Sequence, residues 1–345
     1  MNSYERVMGV LEGREVDRVP VAPIIREWSA KQVGFNFSDL VSAPGKQAFA
    51  QYYSAHTFGL DVLWDLWGIH SEAEAMGSTI NIPIDMQGVP SVTDPVIRDY
   101  DKDLLKIKQP NHGQDGNIPL IMKGIRQLKE LANGKIPVLG YVQGPFRMAS
   151  MLRGPENIMG DCQKGDKHLE ELLDLCTNTL IVTGAEAIQA GADFLWIGEP
   201  TSSADRISKK LLIRYVIPYL EKLIKALKSH KVRIMMHVCG DTNDRIEEFV
   251  GVGIDALSVS ERVDLEMARK VVGDDFCLWG NVAPALLASG TPAEVEAAAR
   301  EAIEKGMGTK GNFVLSSGCR TPPEVPAENI MAMVKVAKDF SNVVY

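Results

Sequence analysis

The tetrapeptide His237-Val238-Cys239-Gly240 and, about 80 residues later, the pair Gly318-Cys319 offer one imidazole and two thiols. Imidazole nitrogen and thiolate sulfur are ligands zinc favours, and three protein ligands leave one tetrahedral position open to a substrate. The pattern therefore points to a catalytic zinc rather than a structural one. His237 and Cys239 are two residues apart, so on an extended strand both side chains leave the same side of the backbone and one metal can take both. The plainer reading is a core histidine and two ordinary buried thiols. The HxC register, with Cys319 closing a second apolar run, argues against that coincidence.

These ligands need a scaffold. The run Val232-Arg233-Ile234-Met235-Met236 is short and apolar, bounded by Ser229-His230-Lys231 and Gly240-Asp241, as a buried parallel strand is. The ligands then sit at its C-terminal end. Along the chain, short apolar runs alternate with longer amphipathic stretches, which indicates strands followed by helices. Eight strands are expected: Val19 to Ile25, Leu60 to Asp65, Ile136 to Tyr141, Asp193 to Ile197, Val232 to Met236, Ala256 to Ser260, Phe276 to Trp279 and Asn312 to Leu315. Eight such units close into an α/β (β/α)8 TIM barrel, whose catalytic groups come from the C-terminal strand ends. Glycines at Gly191 and Gly253 and the starts at Thr291-Pro292-Ala293-Glu294 and Pro326-Ala327-Glu328 punctuate the helices. The reading is a single domain, 1–345, with an N-terminal helix over 1–16 capped at Ser3 and packed outside the barrel. An irregular or hairpin insertion over 77–110 is expected to lie above the barrel.

The expected rim is polar. It collects Arg26 and Glu27, Asp65, Gln143, Glu199, His237 with Cys239, Ser260 with Glu261, Asn281, and Ser316 to Cys319. Glu199, closing Phe194-Leu195-Trp196-Ile197-Gly198, is a candidate catalytic carboxylate, as fourth metal ligand, anchor or proton acceptor. Asn281 is a candidate donor to a substrate or cofactor oxygen. Trp28, Trp64, Trp67, Trp196, Met236 and Trp279 are candidates for the wall of an apolar substrate pocket, the alternative being that they fill the core.

The 345 residues are 45% hydrophobic and 24% charged, globular values, and the formal charge of -8 opposes a nucleic-acid or anionic-membrane surface. No apolar run approaches the roughly 20 residues of a membrane span, and Met1-Asn2-Ser3-Tyr4-Glu5-Arg6 has no signal-peptide core. Five cysteines without a repeating spacing fit a reducing compartment, so a cytoplasmic protein is expected. Cys162, Cys176 and Cys277 read as packing residues.

The sequence resembles the uroporphyrinogen decarboxylase superfamily and, within it, the zinc-dependent corrinoid methyltransferases, over nearly its full length. The resemblance rests on Gly144-Pro145-Phe146 with Leu152-Arg153-Gly154, on Gly191-Ala192-Asp193 leading to Gly198-Glu199-Pro200-Thr201, on His237-Val238-Cys239-Gly240, on Gly280-Asn281-Val282, and on Ser317-Gly318-Cys319 followed by Pro322, Pro323 and Pro326. HxCG with the distant GC is its specific part. It implies a barrel in which His237, Cys239 and Cys319 hold Zn2+, with a corrinoid (cobalamin) brought by a separate partner protein. No corrinoid-binding DxHxxG element occurs in this chain. A homodimer is compatible with this reading.

The decarboxylase branch carries an arginine-rich segment after the first strand, where this chain has only Arg26 and Lys31, and a histidine where it has Cys319. The resemblance thus implies methyl transfer between a small molecule and the corrinoid. The tryptophans favour demethylation of an aryl methyl ether. Methylation of a thiol such as coenzyme M stays open, since Arg147, Arg153 and Arg320 could serve an acid. A decarboxylase-like enzyme and a non-catalytic zinc-binding barrel are the alternatives.

Overall fold

Seven short, almost wholly buried segments pair in parallel, each with the next along the chain. They are β1 (Leu63–Trp64), β4 (Val138–Gln143), β5 (Phe194–Gly198), β6 (Arg233–Val238), β7 (Ala256–Val259), β8 (Cys277–Val282) and β9 (Phe313–Ser317), in that order across the sheet. In this computed structural model, residues 1–65, 70–82, 90–309 and 311–340 are described. Parallel neighbours cannot be joined by tight turns, and the intervening helices, such as Lys167–Ala190 and Pro292–Gly306, make the crossovers and cover the outer face. Apolar residues therefore occupy both faces of the strands.

The expected first strand, Val19 to Ile25, is extended chain rather than a continuous ladder. Pro20 and Pro23 have no N–H to donate, so only isolated bridges form, Val21 to Leu315 and Ile24 to Arg320. The segment still closes the barrel. On one side Ala22 N donates to Leu315 O (2.9 Å), and on the other Asp61 N donates to Val21 O (2.9 Å), just before β1. The eighth stave is thus present and fastened to both sheet edges. Expected strand ends elsewhere shift by one to three residues; β6 runs on through His237 to Val238.

The N-terminal helix spans Ser3–Leu11, shorter than the expected 1–16, and its cap is Asn2 rather than Ser3. Asn2 and Glu5 form a reciprocal capping box, which satisfies two otherwise orphaned N–H groups. Ser3 instead donates its hydroxyl to Asp61 Oδ1 (2.7 Å). Asp61, fully buried, also accepts from Arg6 Nη1 (2.8 Å), Arg18 Nη1 (2.8 Å) and Val21 N (2.8 Å), which ties the extension to the N-terminal end of β1. The expected helix start at Thr291 is present, with Thr291 and Glu294 forming another capping box at the head of Pro292–Gly306.

Part of the expected 77–110 excursion is an antiparallel hairpin, β2 (Thr79–Asn81) with β3 (Ser91–Asp94). Its base is stitched to the end of the helix that follows β4, where Ile97 N donates to Leu152 O (2.8 Å) and Ser78 Oγ to Met151 O (3.3 Å). Residues 83–89 of that excursion, and Trp67, lie outside the described residues. Cys162, Cys176 and Cys277 are buried, as expected of packing thiols, and burial pushes Cys162 and Cys277 up to about 12. Among the described residues no helix is long and apolar enough to cross a membrane.

Candidate metal centre

His237 lies near the C-terminal end of β6, in register with Gly198 of β5 and Ser258 of β7. Both neighbours matter. Gly198 leaves room, since a Cβ there would stand 2.7 Å from the Tyr141 ring. Ser258 Oγ lies 2.9 Å from His237 Nδ1, and this hydrogen bond orients the ring with Nε2 toward the sulfurs. Nε2 is 3.1 Å from Cys239 Sγ, and Cys239 Sγ is 3.2 Å from Cys319 Sγ. That is well beyond the about 2.05 Å of a disulfide, and all five cysteines are free thiols.

Cys319 arrives from the far side of the sheet through Gly318, which follows β9. A Cβ on Gly318 would come within 2.5 Å of Glu261 N, so glycine is required for the close approach that delivers the second sulfur. The three ligand atoms lie within 4.8 Å of one another, and among the described residues no other group of three His, Cys, Asp or Glu does so. The hydrogen bond from Cys239 holds Cys319 down to about 4, and the same bond together with burial pushes Cys239 up. The set is soft and compact, and Ser258 supports the imidazole from outside, features that suit zinc. Replacing Ser258 by Ala is expected to weaken zinc binding about 10–100-fold without unfolding the barrel, measurable by competition against a chelating dye.

The ligands open onto a cavity of about 150 Å³. Ile24, Tyr141, Trp196 and Pro200 form its apolar wall, and Arg26, Arg147 and Arg320 bring guanidinium groups to it. Burial pushes the Tyr141 phenol up to about 12. Trp196 meets the His237 ring edge-on at 5.4 Å.

The other expected pocket residues lie elsewhere. Trp64 packs edge-on against Trp196 (5.3 Å) and Trp279 (6.2 Å), so Trp64 and Trp279 are interior filling of the barrel. Trp28 donates Nε1 to Val325 O (2.9 Å) and packs on Phe58, among the helices. Met236, fully buried, points away from the side His237 takes. Among the described residues, only Trp196 of the expected aromatic wall reaches the cavity.

Glu199 is fully buried but does not join the ligands. Its Oε2 accepts from Arg147 N (3.1 Å), its Oε1 accepts the Thr201 hydroxyl, and burial raises its pKa. It holds the first turn of the helix Pro145–Arg153 and so positions Arg147. Asn281 is turned away as well. Its amide donates to Ser260 O (2.9 Å) and Val263 O (2.9 Å), and the side chain borders a separate cleft. Two residues of the site escaped the sequence reading, Ser258 and Tyr141. The only signal for either was a polar atom inside an otherwise apolar strand.

A profile for the family described as "Uroporphyrinogen decarboxylase (URO-D)" matches residues 2–340. A methylcobamide:CoM methyltransferase (MtbA) of Methanosarcina mazei is 30% identical over 97% of this chain and 97% of its own length. A uroporphyrinogen decarboxylase of an Anaeromyxobacter species is 24% identical over 97% of this chain and 99% of its own. A solved methyltransferase structure from Methanosarcina mazei superposes with a TM-score of 0.90, at 27% identity and 99% coverage of both chains. The chain therefore belongs to the uroporphyrinogen decarboxylase family, on its corrinoid methyltransferase branch.

Proposed function

We propose that this chain moves a methyl group between a small thiol and the corrinoid of a partner protein, at a zinc ion held by His237, Cys239 and Cys319. The observation that carries the reading is a cluster of three side chains able to bind a metal, with no carboxylate among the described residues closing it, at the wall of a small cavity. Several similar proteins are named for methyl transfer to CoM, including one named methylated-thiol coenzyme M methyltransferase at 23% identity. When bound, zinc would supply the positive charge that lets a substrate thiol lose its proton near neutral pH. The protein's own part is orientation and exclusion of water. Ser258 fixes the His237 ring, Glu199 fixes the helix start that carries Arg147, and Tyr141 and Trp196 keep the cavity dry.

The preference for an aryl methyl ether does not survive. It rested on tryptophans lining the pocket, and most of them fill the barrel interior or pack among its helices instead. A decarboxylase-like reading has less support, because a tetrapyrrole with eight carboxylates calls for a dense array of cations and three arginines line this cavity. Five free thiols suit a reducing, cytoplasmic setting.

The test begins with metal content. Protein purified without added metal should contain about one zinc per chain. Stripping it with a strong chelator should abolish methyl transfer from methylcobalamin to small thiols, and zinc should restore it. Turnover with aryl methyl ethers and none with thiols would overturn the proposal.

A further inference from the structure

Resting on the metal reading above, we infer that Asp205, braced by Arg262, is a positioning residue for Cys239: it clamps the turn after β6 so that this sulfur meets the other two ligands. The three ligands are not equally fastened. His237 lies within the ladders, in register with Gly198 and Ser258. Cys319 is followed by Arg320, which bridges to Ile24, and by Thr321, whose N donates to Ile24 O (2.8 Å). Cys239 lies beyond the last paired residue of β6, Val238, and is followed by Gly240 in a left-handed turn (φ +85°). Glycine leaves that turn free to move, whereas a metal site needs its ligands held to within about 0.5 Å.

What holds the turn comes from two other loops, after β5 and after β7. The peptide unit between Gly240 and Asp241 is gripped at both of its polar groups. Gly240 O accepts from Ser260 Oγ (2.6 Å), and Asp241 N donates to Asp205 Oδ2 (3.0 Å). Asp241 O in turn accepts from Ala204 N (2.8 Å), next to Asp205. Arg262 Nη1 stands 2.9 Å from each oxygen of Asp205, and the Arg262 backbone N–H donates to the same Ser260 hydroxyl (3.2 Å). Both grips therefore lead back to the loop after β7, which Asn281 holds through Ser260 O. The Asp241 N–H, and Arg262 after it, keep the Asp205 carboxyl below the usual carboxylate range, so it is charged near neutral pH. Neither Asp205 nor Arg262 lines the cavity at the ligands, so both act there only through Cys239.

The experiment measures zinc affinity of the intact chain by competition against a chelating dye and, with cobalt(II) in place of zinc, the thiolate-to-metal charge-transfer absorption. Asp205→Ala should weaken zinc binding about 10–100-fold, as removing a contact that orients a ligand does. Its cobalt absorption should fall toward that of a site with one thiolate. Asp205→Asn, whose amide oxygen still accepts from Asp241 N, should stay within about fivefold of the parent, and so should Arg262→Gln, which removes only an exposed ion pair. Arg98→Gln breaks a similarly exposed pair with Asp94 and should leave both readouts unchanged. A role in general stability alone would neither separate alanine from asparagine nor dim the cobalt absorption. Zinc affinity of Asp205→Ala within about threefold of the parent, equal losses in the alanine and asparagine variants, or an unchanged cobalt spectrum would overturn the clamp. If the parent binds no zinc, the metal centre itself fails, and hydrogen exchange of metal-free protein decides the clamp separately. The Asp241 amide should then exchange about 5–10-fold faster in Asp205→Ala than in the parent, the loss of one hydrogen bond, and equal exchange would overturn it.

Discussion

Cys319→Ser protein is expected to purify with almost no zinc and with less than about 1% of the parent's methyl transfer, while keeping its fold. A serine hydroxyl does not ionise near neutral pH and is a poor partner for zinc, so the site falls to one imidazole and one thiol. The loss should exceed the about 10–100-fold that removing an outer contact such as Ser258 costs. The fold should survive because Cys319 sits half-buried at the rim, above the layer of Trp64, Trp196 and Trp279, and fills none of the core. Metal analysis, turnover and a thermal melt of metal-free protein read the three parts separately. Full zinc with normal turnover in this variant would sink the metal centre, and loss of the melt would reassign Cys319 to structure.

Asp61→Ala should have the largest effect on stability and almost none on the site. Asp61 is fully buried beneath β1 and accepts from Ser3, Arg6, Arg18 and Val21 N. Arg6 keeps Asp17, with Nε 2.7 Å from Oδ1, but Arg18 loses its carboxylate partner. Leaving buried charge without its counter-ion typically costs about 3–5 kcal/mol. At about 1.4 °C per kcal/mol for a domain of 345 residues, a fall in Tm of roughly 4–7 °C follows. Zinc content should be unchanged, because Asp61 lies at the opposite end of the strands from His237. A shift under a degree would show that the closing segment 19–25 holds without this cluster.

The cluster of His237, Cys239 and Cys319 was legible because each candidate ligand rests on local information. Ligand type is written in the side chain, and the two-residue spacing of His237 and Cys239 fixes a common face on any strand. The sheet was legible for a similar reason, since strands buried on both faces read as short apolar runs between glycine-marked helix ends. The first stave was misjudged only in its bonding, because Pro20 and Pro23 break the ladder while leaving the chain extended. The cap of the first helix went to Asn2 rather than Ser3 because the residue pairing with Glu5 is the one that completes a capping box.

The composition of the cavity wall was not legible, because it depends on where a curled sheet closes. Sequence distinguishes the faces of a strand but not the depth of a residue inside a barrel. Trp64, Trp196 and Trp279 looked alike, yet only Trp196 stands high enough to meet His237 and the cavity. Glu199 and Asn281 fall at strand ends as catalytic residues do, and tertiary packing turned both to holding backbone. Arg26 and Arg320 meet because Val19 to Ile25 lies beside β9, and Arg147 reaches the same cavity from the helix Pro145–Arg153 after β4. Sequence alone therefore determined the cluster of candidate ligands and the barrel, since types and short spacings survive without a fold. Tertiary structure decided which side chains share the cavity, since that needs distances between strands that only the closed barrel sets.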